Sequence, residues 1–298
     1  MPTYKQSTRR DPGKLKLVEM METVQGEGLF IGVPSIFVRT GMCNLACPGC
    51  DTVWDDWTST WIEDVAFRVT KFKSNHVVFT GGEPTLWQDD LAALTQAIDL
   101  LRKEMVFTLE TNGAVPLTNG HLIDRINLWS FSPKVGSLGH EEKFSDDVVL
   151  SNIRGTVGHN QIKYVLDPFI EPHVRRVFDF QKRVDEMSGL GGAMDMAVRL
   201  GSWEDRQPTR FHRLSDHAGV EIPIAVEDTR IFFQPYDRDC TVNTADRTVP
   251  GAPISIRNVP LNEHNYSKDL AALTKIVMER SDCRFRVLPQ LHKLLLYR

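Results

Sequence analysis

The feature that most constrains the fold is a rhythm of short apolar runs, each closed by a polar or glycine turn and followed by a stretch of helical period. Ser35-Ile36-Phe37-Val38-Arg39 reads as a buried strand. His76-Val77-Val78-Phe79-Thr80 reads as the next, with Gly81-Gly82-Glu83-Pro84 as its turn and Trp87 to Lys103 as its helix. The unit returns with strand Met105–Glu110, turn Thr111-Asn112-Gly113 and helix Leu117–Ile126, and again with strand Leu128–Ser132 ending in Pro133-Lys134. Gln161–Val165 with helix Glu171–Glu186, and Ile231–Gln234 closed by Pro235, continue it. Strands alternating with helices imply an α/β fold whose ligand site gathers at the C-terminal ends of the strands, where the βα loops converge.

The second constraint is chemical. Gly41 to Thr52 carries Cys43, Cys47 and Cys50 in a C-x-x-x-C-x-x-C loop, short enough to turn three thiolates toward one soft metal centre. A structural zinc site takes four ligands, and an electron-transfer iron–sulfur cluster normally takes four cysteines. Three leave one position open to a cofactor or substrate. The spacing favours an iron–sulfur centre, because the paired C-x-x-C of zinc sites is not duplicated. It leaves open a zinc knuckle, in a binding module, completed by one of the nine histidines.

Composition narrows the partners. Hydrophobic residues at 41%, charged residues at 25% and a formal net charge of −4 describe an ordinary globular chain with no general nucleic-acid surface. No apolar run approaches the length of about 18 residues that spans a membrane, and the basic N-terminus leads into no apolar segment. A cytoplasmic location and a small-molecule partner are expected. Cys240 and Cys283 read as buried thiols. Residues 1–15 read as a flexible tail with structure starting near Leu17, and residues 16–298 as one domain interrupted at about 187–229 by a surface insertion. Ser267 is placed to cap a helix running to about Arg280, and the apolar tail Phe285–Arg298 is expected to dock on the body.

The cysteine loop resembles the signature of the radical S-adenosylmethionine (SAM) superfamily. The ordered set Val24-Gln25-Gly26-Glu27-Gly28, Pro34 through Gly41, Cys50-Asp51-Thr52, Gly81-Gly82-Glu83-Pro84, Glu110-Thr111-Asn112-Gly113, Ser132-Pro133-Lys134 and Gln290-Leu291-His292-Lys293 resembles the 7-carboxy-7-deazaguanine synthase family. The resemblance covers residues 20–165 and both ends of 230–298. It implies a partial (β/α)6-type radical SAM barrel with a C-terminal covering segment. It also implies the conversion of 6-carboxy-5,6,7,8-tetrahydropterin to 7-carboxy-7-deazaguanine and ammonia, on the route to queuosine-type 7-deazapurines. A glycyl-radical-enzyme activase shares the cysteine loop, but would leave Gln25–Gly28 and Thr52 unexplained.

Residue by residue, the resemblance implies that Cys43, Cys47 and Cys50 hold a [4Fe-4S] cluster and that Thr52 gives a hydroxyl to Mg2+. It implies that Gly82, Ser132, Pro133 and Lys134 meet SAM, and that Val24, Gln25, Gly26, Arg39, Thr80 and the C-terminal Arg298 meet the pterin. A homodimer and an electron donor such as flavodoxin are implied with it. Position 49, often aromatic in the superfamily and packed near the adenine, is Gly49 here.

Overall fold

In this computed structural model the described residues are 11–47, 50, 52–135, 144–156, 160–166, 170–188, 231–235, 271–272, 275–276 and 285–287. They form one mixed sheet. Its strands are β1 (Lys14–Val24), β2 (Pro34–Thr40), β3 (Thr58–Trp61), β4 (His76–Gly81), β5 (Val106–Thr111), β6 (Leu128–Phe131), β7 (Asn160–Leu166), β8 (Ile231–Pro235) and β9 (Phe285–Val287). The helices are α1 (Ile62–Val69), α2 (Gln88–Leu101), α3 (Gly120–Arg125), α4 (Asp146–Gly155) and α5 (Glu171–Ser188). No helix among the described residues is long and apolar enough to cross a membrane.

The strand order is β3-β1-β2-β4-β5-β6-β7-β8-β9, antiparallel at β3-β1-β2 and parallel from β2 onward. Crossovers that are right-handed and never reverse direction put every helix on the same face of a sheet, whereas a doubly wound sheet reverses and covers both faces. The side chains follow that logic. One face presents Ile36, Val38, Val77, Phe79, Phe107, Leu109, Trp129, Phe131, Ile162 and Tyr164, which form one core with Val65, Leu91, Leu94, Ile98, Val149 and Val177 of the helices. The alternate residues, pointing the other way, are rich in polar groups: Ser35, Arg39, His76, Thr80, Thr108, Glu110, Ser130, Gln161 and Lys163.

A polar face shared by five strands is stable only if the sheet curls around it. The turn between β1 and β2 shows that it does. In a flat sheet β2 and β7 stand four strand spacings apart, on the order of 19 Å. Yet Leu29 N–H donates to Gln161 Oε1 at 2.8 Å and Lys163 Nζ donates to Glu27 Oε2 at 2.9 Å. The sheet is a partial barrel with helices outside and a polar interior, as the rhythm and the resemblance implied.

Several elements escaped the sequence reading. Order reaches Lys14, earlier than Leu17, because β1 is an eleven-residue strand that buries Leu15 and Leu17 against the core. Lys16 within it is itself buried, its ammonium 4.0 Å from the Trp57 ring and 5.1 Å from that of Trp87, so a basic residue at the border of the expected tail is packed. β3 ends at Trp61, directly before α1 begins at Ile62, and α4 was not anticipated. β9 adds a seventh parallel strand where only a covering segment was expected. Of the helix expected after Ser267, positions 271–272 and 275–276 are described and helical. Beyond Met187 and Ser188, which end α5, the insertion at 187–229 lies outside the described residues, as do Cys240, Cys283, Gln290–Lys293 and Arg298.

His76 shows what the interior demands of a titratable group. It is fully buried, its Nδ1 2.8 Å from Ser35 Oγ and its Nε2 2.8 Å from Thr108 Oγ1, with Phe30 edge-on at 4.8 Å. Ser35 Oγ donates to Val33 O, so it accepts from His76 Nδ1–H, and Thr108 donates to Nε2. Burial lowers the His76 pKa to about 3. The unfolded chain therefore takes up a proton near pH 6.5 that the folded chain refuses until near pH 3, and stability falls as pH drops through that window. In urea titrations between pH 7.5 and 5, the advantage of the wild type over His76→Gln is expected to shrink below pH 6.5, at up to about 1.4 kcal/mol per pH unit. Parallel curves for the two proteins would contradict this.

Candidate active site

The interior polar groups are aligned, not scattered. Arg39 pairs in register with Thr80; Phe79 pairs with Leu109, so Thr80 stands beside Glu110; Glu110 pairs with Ser130, and Ser130 with Gln161. One rung thus crosses β2, β4, β5, β6 and β7 with five polar side chains on the inner face. Thr80 Oγ1 donates to Glu110 Oε2 at 3.0 Å, and Gln161 Nε2 donates to Ser130 Oγ at 2.8 Å. Above it sits Lys163, whose ammonium reaches Glu110 at 3.0 Å and Glu27 at 2.9 Å. Burial alone would lower the Lys163 pKa, but the Glu110 and Glu27 carboxylates outweigh it and raise it.

The turn after β1 closes this network. Gln25 N–H donates to Val33 O and Gly32 N–H to Gln25 O, which pins the turn's base, and Gln25 Nε2 then reaches Glu110 Oε1 at 3.2 Å. Gly28 sits at φ +72°, and a Cβ there would press into the Gln161 amide. Glycine is required for both reasons. Of the residues expected to meet a substrate, Gln25 and Thr80 share one network, Gly26 is buried in the same turn, and Val24 ends β1 opposite Pro34. Arg39 lies on the rung but pairs with Glu19 at 2.6 Å. Glu27, Glu110, Gln161 and Lys163 were not singled out as binding residues. The signal was there for Glu110 and Lys163, charged residues inside otherwise apolar strands.

The cysteine loop leaves β2 at its C-terminal end and is tied to two neighbouring strand ends. Gly82 N–H donates to Thr40 O and Glu83 N–H to Met42 O, while Met42 N–H donates to Trp54 O. Met42 is left-handed at φ 68°, a conformation that costs a non-glycine residue on the order of 1 kcal/mol. A methyl group at Gly82 would collide with the Met42 carbonyl, so the missing side chain makes room for the cysteine loop itself. Asn112 Nδ2 donates to Asn44 Oδ1 at 2.8 Å, fixing the loop to the end of β5.

Glu83 joins the strand ends. It is fully buried, its Oε1 accepting from Thr85 N–H, Thr85 Oγ1 and Thr111 Oγ1 at 3.0, 2.6 and 2.7 Å and its Oε2 from Asn112 N–H at 2.8 Å. Burial pushes its pKa up, and the four donors oppose that. Charge-assisted hydrogen bonds of about 1.5–3 kcal/mol each offset part of an effective desolvation penalty of several kcal/mol, and the net direction stays upward.

The thiols lie in this frame, and none is in a disulfide. Burial, then the nearby Glu83 charge, pushes the Cys43 pKa up to about 12, and Cys47 and Cys50 are close enough to add to it. Burial also raises Cys47, opposed by the charge of Lys134, so the Ser132-Pro133-Lys134 segment faces the loop; Lys134 Nζ donates to Ser132 Oγ at 2.9 Å. Thr52 follows closely, its carbonyl 3.6 Å from Cys50 Sγ. Among the described residues, no three His, Cys, Asp or Glu side chains are gathered in a metal-holding constellation.

Several curated proteins are similar in sequence to this chain. A 7-carboxy-7-deazaguanine synthase of Rickettsia prowazekii is 31% identical over 186 residues, 59% of this chain and 76% of that protein. The chain belongs to the 7-carboxy-7-deazaguanine synthase family. Synthases of this name from Haemophilus influenzae and Halobacterium salinarum are 37% and 38% identical over 103 and 132 residues. Those alignments take in 34% and 43% of this chain and about half of each relative, 47% and 48%. No protein-family model matches. A solved structure, QueE from Escherichia coli, superposes at TM-score 0.49 and 19% identity, over 94% of this chain and 95% of that one. The fold assignment rests on the strand order above.

Synthases of this family are radical SAM enzymes, for which an iron–sulfur cluster and SAM are the implied cofactors. The donor set suits the cluster: three half-buried thiols on one short loop, mutually within electrostatic reach, with a lysine beside the second. The Gly81-Gly82-Glu83-Pro84 segment gives the frame a direct test. In Glu83→Gln an amide NH2 must face either Asn112 N–H or the Thr85 and Thr111 donors, so the urea midpoint is expected to report a loss of about 1–3 kcal/mol. Iron bound per chain after anaerobic reconstitution is expected to fall with it. A variant as stable as wild type would show that Glu83 does not hold these loops together.

Proposed function

We propose that this chain converts 6-carboxy-5,6,7,8-tetrahydropterin to 7-carboxy-7-deazaguanine with release of one ammonia. What carries the reading is one curled sheet that holds the cysteine loop at the C-terminal end of β2 and, on its inner face, the polar rung that the Gln25–Gly28 turn contacts. Cys43, Cys47 and Cys50 would hold the cluster; Gly82 and Ser132-Pro133-Lys134 would meet SAM. When bound, that pair would supply radical chemistry, the abstraction of a hydrogen atom from the substrate. The chain's own residues do the rest. Gln25 and Glu110 offer an amide and a carboxylate to the donor–acceptor edge of the pterin, Thr80 orients that carboxylate, and the Val24–Gly26 backbone lines the turn.

Arg39, held at the end of the rung by Glu19, suits the substrate carboxylate as a planar donor. Thr52 would give a neutral oxygen to Mg2+, a hard cation that keeps waters and substrate oxygens as its other ligands. Arg298 would be a further contact to the pterin. The proposal includes a homodimer, a flavodoxin-type reductant, a cytoplasmic location and a single radical SAM domain carrying the 187–229 segment as an insertion. Protein activation of the glycyl-radical kind finds no support in a polar interior closed by the β1–β2 turn.

Anaerobically reconstituted protein, given SAM, a strong reductant and the carboxytetrahydropterin, is expected to form 7-carboxy-7-deazaguanine. Cys43→Ala, Cys47→Ala and Cys50→Ala are each expected to abolish 5′-deoxyadenosine formation. Wild-type cleavage in any of the three would refute the cluster assignment. Thr52→Ala is expected to keep the cluster's absorption while its turnover loses magnesium stimulation, and an unchanged magnesium titration would remove Thr52 from the metal site.

A further inference from the structure

Lys163 has no place in the function as stated. Its side chain is 5% exposed, deep on the inner face, and it is bound at once to Glu27 on the β1–β2 turn and Glu110 on β5. Stability alone does not explain such a group, since buried ionic triads can often be replaced by apolar residues at no loss. Here, in addition, one ammonium serves two carboxylates, and Gln25 and Thr80 both donate to the second of them, Glu110.

Position matters as much as charge. Glu110 Oε2 receives one donor, Thr80 Oγ1, and a carboxylate oxygen can take two. Glu27 is carried on a turn whose place over the interior depends on two contacts to β7, Leu29 N–H to Gln161 and Glu27 to Lys163. Without the lysine, two carboxylates would face each other across a water-poor interior and move apart. With it, they are set at one spacing on either side of a single cation.

We propose that Lys163 is the positioning residue of substrate recognition: it holds Glu27 and Glu110 as a matched pair of acceptors for an N–H donor edge. That edge is of the kind an aminopyrimidinone ring presents. The inference rests on the pterin reading above and assigns the geometry of that recognition to a residue acting through its two partners. It also accounts for the reach of β7 across the barrel to the turn after β1, because the clamp and the closure of the turn are one contact.

The test uses reconstituted protein loaded with cluster and SAM, with iron content and urea midpoint measured for each variant. Lys163→Met is expected to raise KM for the carboxytetrahydropterin, and its Kd measured anaerobically by calorimetry, by roughly 30-fold or more, with a much smaller change in kcat. Lys163→Gln keeps a donor for one carboxylate. It is expected to give an intermediate loss, and it carries the test if the methionine variant does not fold. A folded variant of either kind with wild-type KM and Kd would overturn the assignment. So would a fall in kcat alone that tracks lost iron, since that is what a purely structural staple would produce. A wild-type protein that binds no carboxytetrahydropterin would overturn the pterin reading and this assignment with it.

Discussion

A charged group in a barrel interior is tolerable only where its partners are already fixed, and that constraint organises this molecule. The Lys163 ammonium, Glu27 and Glu110 meet inside a curled sheet, from a turn and two strands that are far apart in sequence. Their meeting requires the curl, and the curl follows from a strand order that never reverses, which puts the helices outside and leaves the alternate side chains to face one another. The rung from Arg39 to Gln161 is the same fact seen along the sheet. Polar residues at every second position of buried strands are stable because each finds its partner on the neighbouring strand.

The cysteine loop depends on a second, smaller set of fixed contacts. Its backbone is hydrogen-bonded to Glu83 and Trp54, Gly82 is bonded to Thr40 just before it, its Asn44 is tied to Asn112, and its entry residue Met42 is held in a left-handed conformation. Glu83 binds the donors of the β4 and β5 strand ends into one frame, so the thiols and the interior acceptors are held by continuous structure. Strain at Met42 and burial of Glu83 are features that a site tolerates when the surrounding packing over-determines them.

Much of this was legible beforehand, and what was not has physical causes. The βα rhythm announced β4 through β8 because their strands are apolar and their turns carry glycine, proline or asparagine. β1 was hidden by Lys14, Lys16, Glu19 and Glu22, which read as solvent-facing, although Lys16 is buried under two tryptophan rings. α4 was hidden by a mixed stretch whose amphipathic face, Val149, Leu150 and Ile153, is short. The cysteines, Gln25 and Thr80 were legible as motif positions. Lys163 was visible as a charge inside an apolar strand, but its pairing with Glu27 was not, because an ion pair 136 residues apart leaves no local pattern and only the curled sheet brings its partners together. Gly82 was read as a contact to SAM, and its missing side chain is also what lets the cysteine loop pass.

The central claim is that the three thiols and the polar interior are one site. The most direct measurement is an anaerobic crystal structure of the reconstituted protein with SAM and the carboxytetrahydropterin bound. Density for a cluster on Cys43, Cys47 and Cys50 is expected, with the substrate ring against Gln25, Thr80 and Glu110 and SAM between the two. A ring bound outside the barrel, or a closed four-ligand zinc site on the cysteines, would contradict it.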